Sequence, residues 1–249
     1  MKAMVLAAGL GTRLRPLTND RPKALVEVAG RTMLAITLAR LQAFGIREVV
    51  VNAHHFADMI VEYLRAHGNF DMRIEVSRED DVLLDTGGGL KKAGYFFLRD
   101  SGDANEPFIL HNVDVISSID FGKMLQFHRD HRALATLAVQ KRESSRQLLF
   151  DENLQLCGRQ PGKGQPDEIA QPVGPTQPLA FCGLHIISPR LISLMTETGA
   201  FSIIDVYLRL AASGEKIGAF RADEYYWRDL GKPGDLLQAA EDLKQKALS

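Results

Sequence analysis

Cysteine is nearly absent from this 249-residue chain: Cys157 and Cys182 are the only two, far apart and without a CxxC pairing. That excludes a disulfide framework and a thiolate zinc site, and it suits a reduced, cytoplasmic protein. Long hydrophobic runs are also missing. No apolar stretch approaches the roughly 18 residues of a membrane span. The opening run, Ala3 to Ala8, is too short for the apolar region of a signal peptide. There is no excess of either charge: 30 basic against 31 acidic residues give a formal charge of -1. The expected partners therefore include neither nucleic acid nor a membrane surface. No internal repeat is visible. What remains is 45% hydrophobic residues, enough for one sizeable core.

That hydrophobic content is patterned. Ala3 to Ala8 reads as a buried strand ending in Gly9, and Glu48 to Asn52, Met72 to Ser77, Phe108 to His111 and Leu134 to Val139 as further strands. Between them Met33 to Phe44, Phe56 to His67, Gly88 to Phe97 and Asp120 to His131 read as helices. In the first of these Met33, Leu34, Leu38, Leu41 and Phe44 recur at helical spacing before the stop signal Gly45. Strand and helix alternate, so the fold class is α/β: a three-layer, doubly wound, mostly parallel sheet with helices on both faces. Ligands of such sheets bind at the carboxyl ends of strands, and Gly9, Asn52 and Asp114 all fall there.

After about residue 145 the pattern changes. The segment 158–178 is dense in glycine and proline and is expected to be an irregular, mobile loop. Ala180 to Ile187 and Lys216 to Arg221 return as strands, and Ile203 to Ala212 and Gly234 to Ala247 as helices. The flanking pieces are short, so residues 1–249 are read as a single domain carrying a small lobe.

The first chemical signal is Gly9-Leu10-Gly11-Thr12-Arg13-Leu14-Arg15-Pro16. Glycines after a strand let backbone N–H groups approach phosphate oxygens, and the arginines and nearby Lys23 supply charge. A GxG turn with solvated arginines serves equally as a simple strand-to-loop connection. Leu14 stands where a dinucleotide fingerprint needs its third glycine, and no GxxxxGK[ST] string occurs. Asp114, in HNVDV, and Asp229, in WRDLG, follow strand-like stretches. Each alone reads as a cap or turn residue; together they are the carboxylate pair that a Mg²⁺ ion uses with phosphate oxygens and water. Asp85-Thr86-Gly87-Gly88-Gly89 precedes a predicted helix, where free N–H groups suit an anionic or polar ligand. The adjacent His54-His55 and the pair His128 and His131 lack a third ligand at zinc spacing, so no zinc site is expected.

Taken whole, AAGLGTRLRPLT followed by RPKALVEVAG resembles the signature of the sugar nucleotidyltransferases, closely from Ala7 to Gly30 and more weakly to the C-terminus. The resemblance implies a Rossmann-like nucleotidyltransferase fold with a small sugar-side lobe. It also implies a reaction: a nucleoside monophosphate unit passes from an NTP to a sugar-1-phosphate, with release of pyrophosphate. On this likeness the loop with Ala7, Ala8, Gly9, Gly11 and Thr12 wraps the NTP, and Arg13 and Lys23 stabilise charge. HNVDV is similar to the family's NGD segment and WRDLGKP to its W-x-D-x-G-x-P segment, so Asp114 and Asp229 hold Mg²⁺ and Asn112 borders the nucleotide. The DTGGG string places Gly87 and Gly88 on the nucleobase and sugar side, and Phe181-Cys182-Gly183 resembles a segment near the sugar; Asn52 also faces the pocket. Within the family, the short chain is similar to the N-acetylmuramic acid-1-phosphate uridylyltransferase type, with mannose- and heptose-1-phosphate guanylyltransferases close to it.

The attacking phosphate is already largely ionised at neutral pH, so the reaction needs no dedicated general base. It needs positioning and charge neutralisation. Two other readings share these residues: cytidylyl transfer to an alcohol phosphate such as phosphocholine, and a nucleotide-binding regulatory subunit without chemistry. The sequence leaves the base, the sugar and the choice between monomer and small homo-oligomer open.

Overall fold

A computed structural model describes residues 1–99, 106–162, 165–171 and 174–244. The strands are β1 (Ala3–Leu6), β2 (Glu27–Val28), β3 (Arg31–Thr32), β4 (Glu48–Ala53), β5 (Arg73–Arg78), β6 (Phe108–Asn112), β7 (Val115–Ser117), β8 (Ala135–Gln140), β9 (Gln147–Phe150), β10 (Leu156–Gln160), β11 (Glu168–Ile169), β12 (Gln177–Ile187), β13 (Ile217–Arg221) and β14 (Trp227–Asp229). The helices are α1 (Met33–Ala43), α2 (Ala57–Ala66), α3 (Asp85–Lys92), α4 (Tyr95–Leu98), α5 (Phe121–Asp130), α6 (Arg190–Ser193), α7 (Ile203–Ala212) and α8 (Pro233–Lys244).

The main sheet runs β11-β10-β9-β12-β6-β1-β4-β5, with β8 also paired to β12 and β13 to β8. Strands β5, β4, β1 and β6 are mutually parallel. Beyond β6 the long strand β12 enters antiparallel and joins the parallel half-sheet to an antiparallel extension, β9–β11.

Alternation along β1 explains the layers. Ala3 and Val5 share one apolar cluster with Val49, Val51 and Ile109 and with residues of α1, α2, α5 and α8. Met4 joins Val50, Phe108 and Leu110 on the other face, with residues of α3, α4, α6 and α7. The period of two that puts successive side chains on opposite faces thus makes a strand buried on both sides, covered by helices above and below. Helix α1 begins where the Thr32 hydroxyl accepts from the Ala35 N–H (3.1 Å), a side-chain cap worth about 1 kcal/mol. Asp120 and Ser202 cap α5 and α7 in the same way.

Two expectations change. The helix read over Gly88 to Phe97 is two, α3 and α4, and α3 starts earlier, at Asp85. The segment 158–178 is not irregular throughout: its first residues complete β10, Glu168–Ile169 form β11 and Gln177 opens β12. Its residues 163, 164, 172 and 173 lie outside the described residues, as do 245–247 of the expected C-terminal helix. Cys157 and Cys182 are buried and unbonded, and burial pushes their thiols up to about 11 and about 12. Among the described residues no helix is long and apolar enough to cross a membrane.

Candidate active site

At the carboxyl ends of β1, β4 and β6 lies a cavity of about 440 Å³. Leu6, Ala7, Ala8 and Gly9 line it from the end of β1, Asn52 from β4, and Asn112, Val113 and Asp114 from the end of β6. Lys23, Leu83, Asp85, Thr86 and Ala200 complete the wall. Strand order reverses here, since β4 lies on one side of β1 and β6 on the other, which is where open α/β sheets bind their ligands.

The loop after β1 is held from behind. Gly11 takes φ +65°, and a Cβ there would stand 2.9 Å from Thr18 Cγ2 and 3.1 Å from Lys23 Cβ. The Thr18 hydroxyl donates to the Gly11 carbonyl (2.9 Å). Gly9, by contrast, faces open space, so its backbone is accessible from the cavity.

A buried polar chain supports the opposite wall. The Ala7 N–H donates to Asn52 Oδ1 (2.7 Å), Asn52 Nδ2 donates to Glu79 Oε1 (2.7 Å), and Glu79 Oε2 accepts from the Leu84 N–H (2.8 Å). Glu79 is only 1% exposed. It therefore fixes β1, β4 and the 83–86 segment relative to one another through satisfied hydrogen bonds, the only form in which a buried carboxylate is tolerated.

The two aspartates meet across a short ladder. Strand β14 pairs antiparallel with β7, bringing Asp229 opposite Val115, and the Leu230 N–H donates to the Asp114 carbonyl (2.8 Å). Lys23 Nζ is ion-paired with Asp114 Oδ2. Burial raises the Asp229 pKa, and the Asp114 charge pushes it the same way; Lys23, the Gly231 N–H and Arg13 oppose the rise. Asp229 Oδ1 accepts from that N–H (2.8 Å). A Cβ on Gly231 would come within 2.5 Å of Arg13 Nη2 and of Asp229 Oδ1, so Gly231 is the gap that lets the Arg13 guanidinium lie beside Asp229. Two repelling carboxylates with oxygen-only donors fit a hard divalent cation. Among the described residues no third His, Cys, Asp or Glu joins them, which leaves the remaining positions to phosphate oxygens and water.

Beneath this ladder lies the half-buried Arg40. It donates to Ser117 Oγ (2.6 Å) and to the Ile119 carbonyl, and its Cζ lies 4.2 Å from the Phe121 ring centroid. Burial lowers its pKa to about 10. It anchors the end of β7 and so the frame that carries Asp114 and Asp229.

A second cavity of about 500 Å³ is lined by Phe181 and Ser202, with Gln147, Arg159 and Gln160 among its other walls. Gly183 (φ +74°) packs against the end of β6: its Cβ would meet Asn112 Nδ2 and Val115 Cγ2, each at 2.9 Å. The β12 ladder to β8 shifts register over these residues.

The structure thus brings together Ala7, Ala8, Gly9, Lys23, Asn112 and Asp114 at the cavity, with Asp229 and Arg13 adjoining. Gly11 and Thr12 shape the loop without lining it. Gly87 and Gly88 do not match their expected place. They are buried inside α3, and both N–H groups donate to the Phe201 carbonyl (2.9 and 3.3 Å). A Cβ on Gly87 would strike the Phe201 ring at 2.5 Å and one on Gly88 the Gly199 carbonyl at 2.6 Å. These glycines allow close packing of α3 on the 199–201 segment, and Asp85 and Thr86 face the cavity instead. Glu79 and Gly231 were missed as site residues. Glu79 carries no motif; Gly231 sits two residues after Asp229 in the WRDLG string, a spacing that could have marked it.

Residues 2–148 match the family model described as Nucleotidyl transferase. The chain is 36% identical to N-acetylmuramate alpha-1-phosphate uridylyltransferase of Caulobacter vibrioides, over 98% of this chain and 97% of that protein. It is 29% identical to mannose-1-phosphate guanyltransferase of Yarrowia lipolytica over 95% of this chain, but spans only 62% of that protein's length. Among solved structures, HddC of Yersinia pseudotuberculosis complexed with GMP-PN superposes with a TM-score of 0.75 at 21% identity, covering 97% of this chain and 99% of that one. The inositol-1-phosphate CTP transferase of T. maritima gives 0.70 at 19%, covering 98% and 96%. At these identities the structural likeness establishes the fold.

Proposed function

Because the chain belongs to the nucleotidyl transferase family, we propose that it transfers a nucleoside monophosphate unit from an NTP to a sugar-1-phosphate, and specifically uridylyl from UTP to N-acetylmuramic acid 1-phosphate. The observation that carries the reading is the meeting of Asp114, Asp229, Lys23 and Arg13 beside a glycine-lined cavity. The choice of UTP and this sugar is supported by the relative that matches along nearly its whole length.

In this reading the loop after β1 presents backbone N–H groups to the triphosphate, and Lys23 leaves Asp114 to meet phosphate oxygens. Arg13, held beside Asp229 by the gap at Gly231, faces the charge that develops as the α-phosphorus is attacked. Asp114 and Asp229 would hold Mg²⁺, which supplies charge neutralisation across the phosphates. A phosphate oxygen of the sugar-1-phosphate forms the new bond to the α-phosphorus, and the bond to pyrophosphate breaks in line. The acceptor sugar occupies the larger cavity beyond Phe181, so its phosphate points past Gly183 and Asn112 toward the aspartates.

The test is pyrophosphate release with Mg²⁺ across five NTPs and a set of sugar-1-phosphates and alcohol phosphates. The reading requires release that depends on both substrates, highest with UTP and N-acetylmuramic acid 1-phosphate. Preference for an alcohol phosphate overturns the acceptor class; nucleotide binding without release with any acceptor overturns the transfer itself.

A further inference from the structure

Arg142 is a half-buried cation that pairs with no carboxylate among the described residues. Its Nη2 donates to the Phe181 carbonyl (2.8 Å), its Cζ lies 3.8 Å from the Trp227 ring centroid, and its Nε is buried without a hydrogen-bond partner. The Cys182 thiol lies against the same guanidinium. Trp227 is itself fixed, its indole N–H donating to the Cys182 carbonyl (2.7 Å). A guanidinium has five N–H donors, and desolvating one without an anion is costly.

Its position says which anion would answer it. Trp227 and Asp229 are alternate residues of β14, so their side chains share a face; Arg228 between them turns the other way, to Tyr226 and Asp242. Alternate residues on a strand are roughly 7 Å apart. Arg142 stacks on Trp227, the residue one side-chain row from Asp229 on the same face of β14. On its other side it touches Phe181, which lines the second cavity. Of the two arginines that line that cavity, Arg159 is already neutralised by Glu168 and Asp205, and Arg146 is exposed.

We propose that Arg142 binds the phosphate of the acceptor and orients its attacking oxygen toward the α-phosphorus held at Asp114 and Asp229. The assignment rests on the transfer reading above. The fork of a guanidinium can engage two phosphate oxygens and leave a third free to attack.

The experiment titrates N-acetylmuramic acid 1-phosphate by calorimetry into the Mg²⁺-loaded protein with a non-hydrolysable UTP analogue, for the wild type, Arg142→Met and Arg142→Lys, and measures KM for each substrate and kcat. The expected result is acceptor binding weakened on the order of tenfold or more in Arg142→Met, with an intermediate loss in Arg142→Lys, while the UTP KM stays within about twofold. Should Arg142→Met fail to fold, Arg142→Lys, which keeps the charge and loses the fork, carries the comparison. Equal acceptor affinity in wild type and folded variant overturns the assignment. So does an equal rise in both KM values, the mark of a residue that only braces Trp227. A wild type that binds the acceptor, loses it in Arg142→Met and releases no pyrophosphate overturns the transfer reading and leaves the Arg142 site standing. A wild type that binds no sugar phosphate overturns both.

Discussion

Lys23 and Asp114 form an ion pair at the wall of the main cavity, with side chains only 10% and 18% exposed. In this state Lys23 serves as the counter-ion that a divalent cation would otherwise provide. Asp114→Asn removes a carboxylate proposed to hold the cation and takes the charged partner from the ammonium. Turnover is expected to be nearly abolished, with a stability loss of about 1–3 kcal/mol read by urea unfolding. Near-normal turnover in that variant contradicts the placement of the cation.

Lys23→Met gives the complementary result. With the ammonium gone, only Arg13 and the Gly231 N–H compensate the repulsion of Asp114 and Asp229, and Mn²⁺ added without nucleotide is expected to bind several-fold more tightly than to the wild type, by paramagnetic resonance. Turnover falls by at least about 100-fold, because a phosphate-contacting charge is lost. Unchanged Mn²⁺ affinity in this variant argues against Lys23 as the resident counter-ion.

Two glycines separate stability from chemistry. Gly183→Ala forces a side chain into φ +74° and against Asn112 and Val115 at 2.9 Å; the expected cost is about 2–4 kcal/mol in urea unfolding. Gly231 has no left-handed φ, and the atoms a Cβ would strike are the ends of Arg13 and Asp229. Gly231→Ala should change stability by less than about 1 kcal/mol while lowering kcat at least about tenfold, since it displaces charged side chains rather than backbone.

Much of this was legible in the sequence, and the failures have physical reasons. Helix α1 could be read because Leu34, Leu38 and Leu41 recur at the helical period and are all fully buried. Strand β1 could be read because both of its faces are covered. Strands β7 and β14 have three residues each, too few for any period, and exist because they pair with one another. Asp114 and Asp229 were therefore paired through their motifs, whereas the ladder that joins them was not read. The helix was read from Gly88 rather than from Asp85, since glycine is a poor helix former; packing of Gly87 and Gly88 against the 199–201 segment outweighs that preference. Strands β9 and β10 escaped notice beside a glycine- and proline-rich segment, and with them the second cavity. Glu79 had no signal, because its role lies in joining Asn52 and Leu84, which only the fold brings together.

Buried histidines set the acid limit. Burial lowers His111 and His185 to about 3 and His128 to about 4, all below the unfolded value near 6.5. The unfolded chain then binds protons that the folded chain does not. Stability is fully present above about pH 6.5 and falls below it, by up to about 1.4 kcal/mol per pH unit for each histidine, until the folded values are reached. Thermal unfolding from pH 8 to pH 4.5 should show this decline. In His128→Gln, which removes the imidazole bonded to Thr136 and Ser188, the slope should be shallower by one proton.

Pyrophosphate release from UTP and N-acetylmuramic acid 1-phosphate, with Mg²⁺ present, tests the central claim most directly. The account predicts release that stops when either substrate is omitted and is lost in both Asp114→Asn and Asp229→Asn. Release from UTP alone, or none with any NTP and sugar-1-phosphate by a folded protein that binds nucleotide, would contradict it.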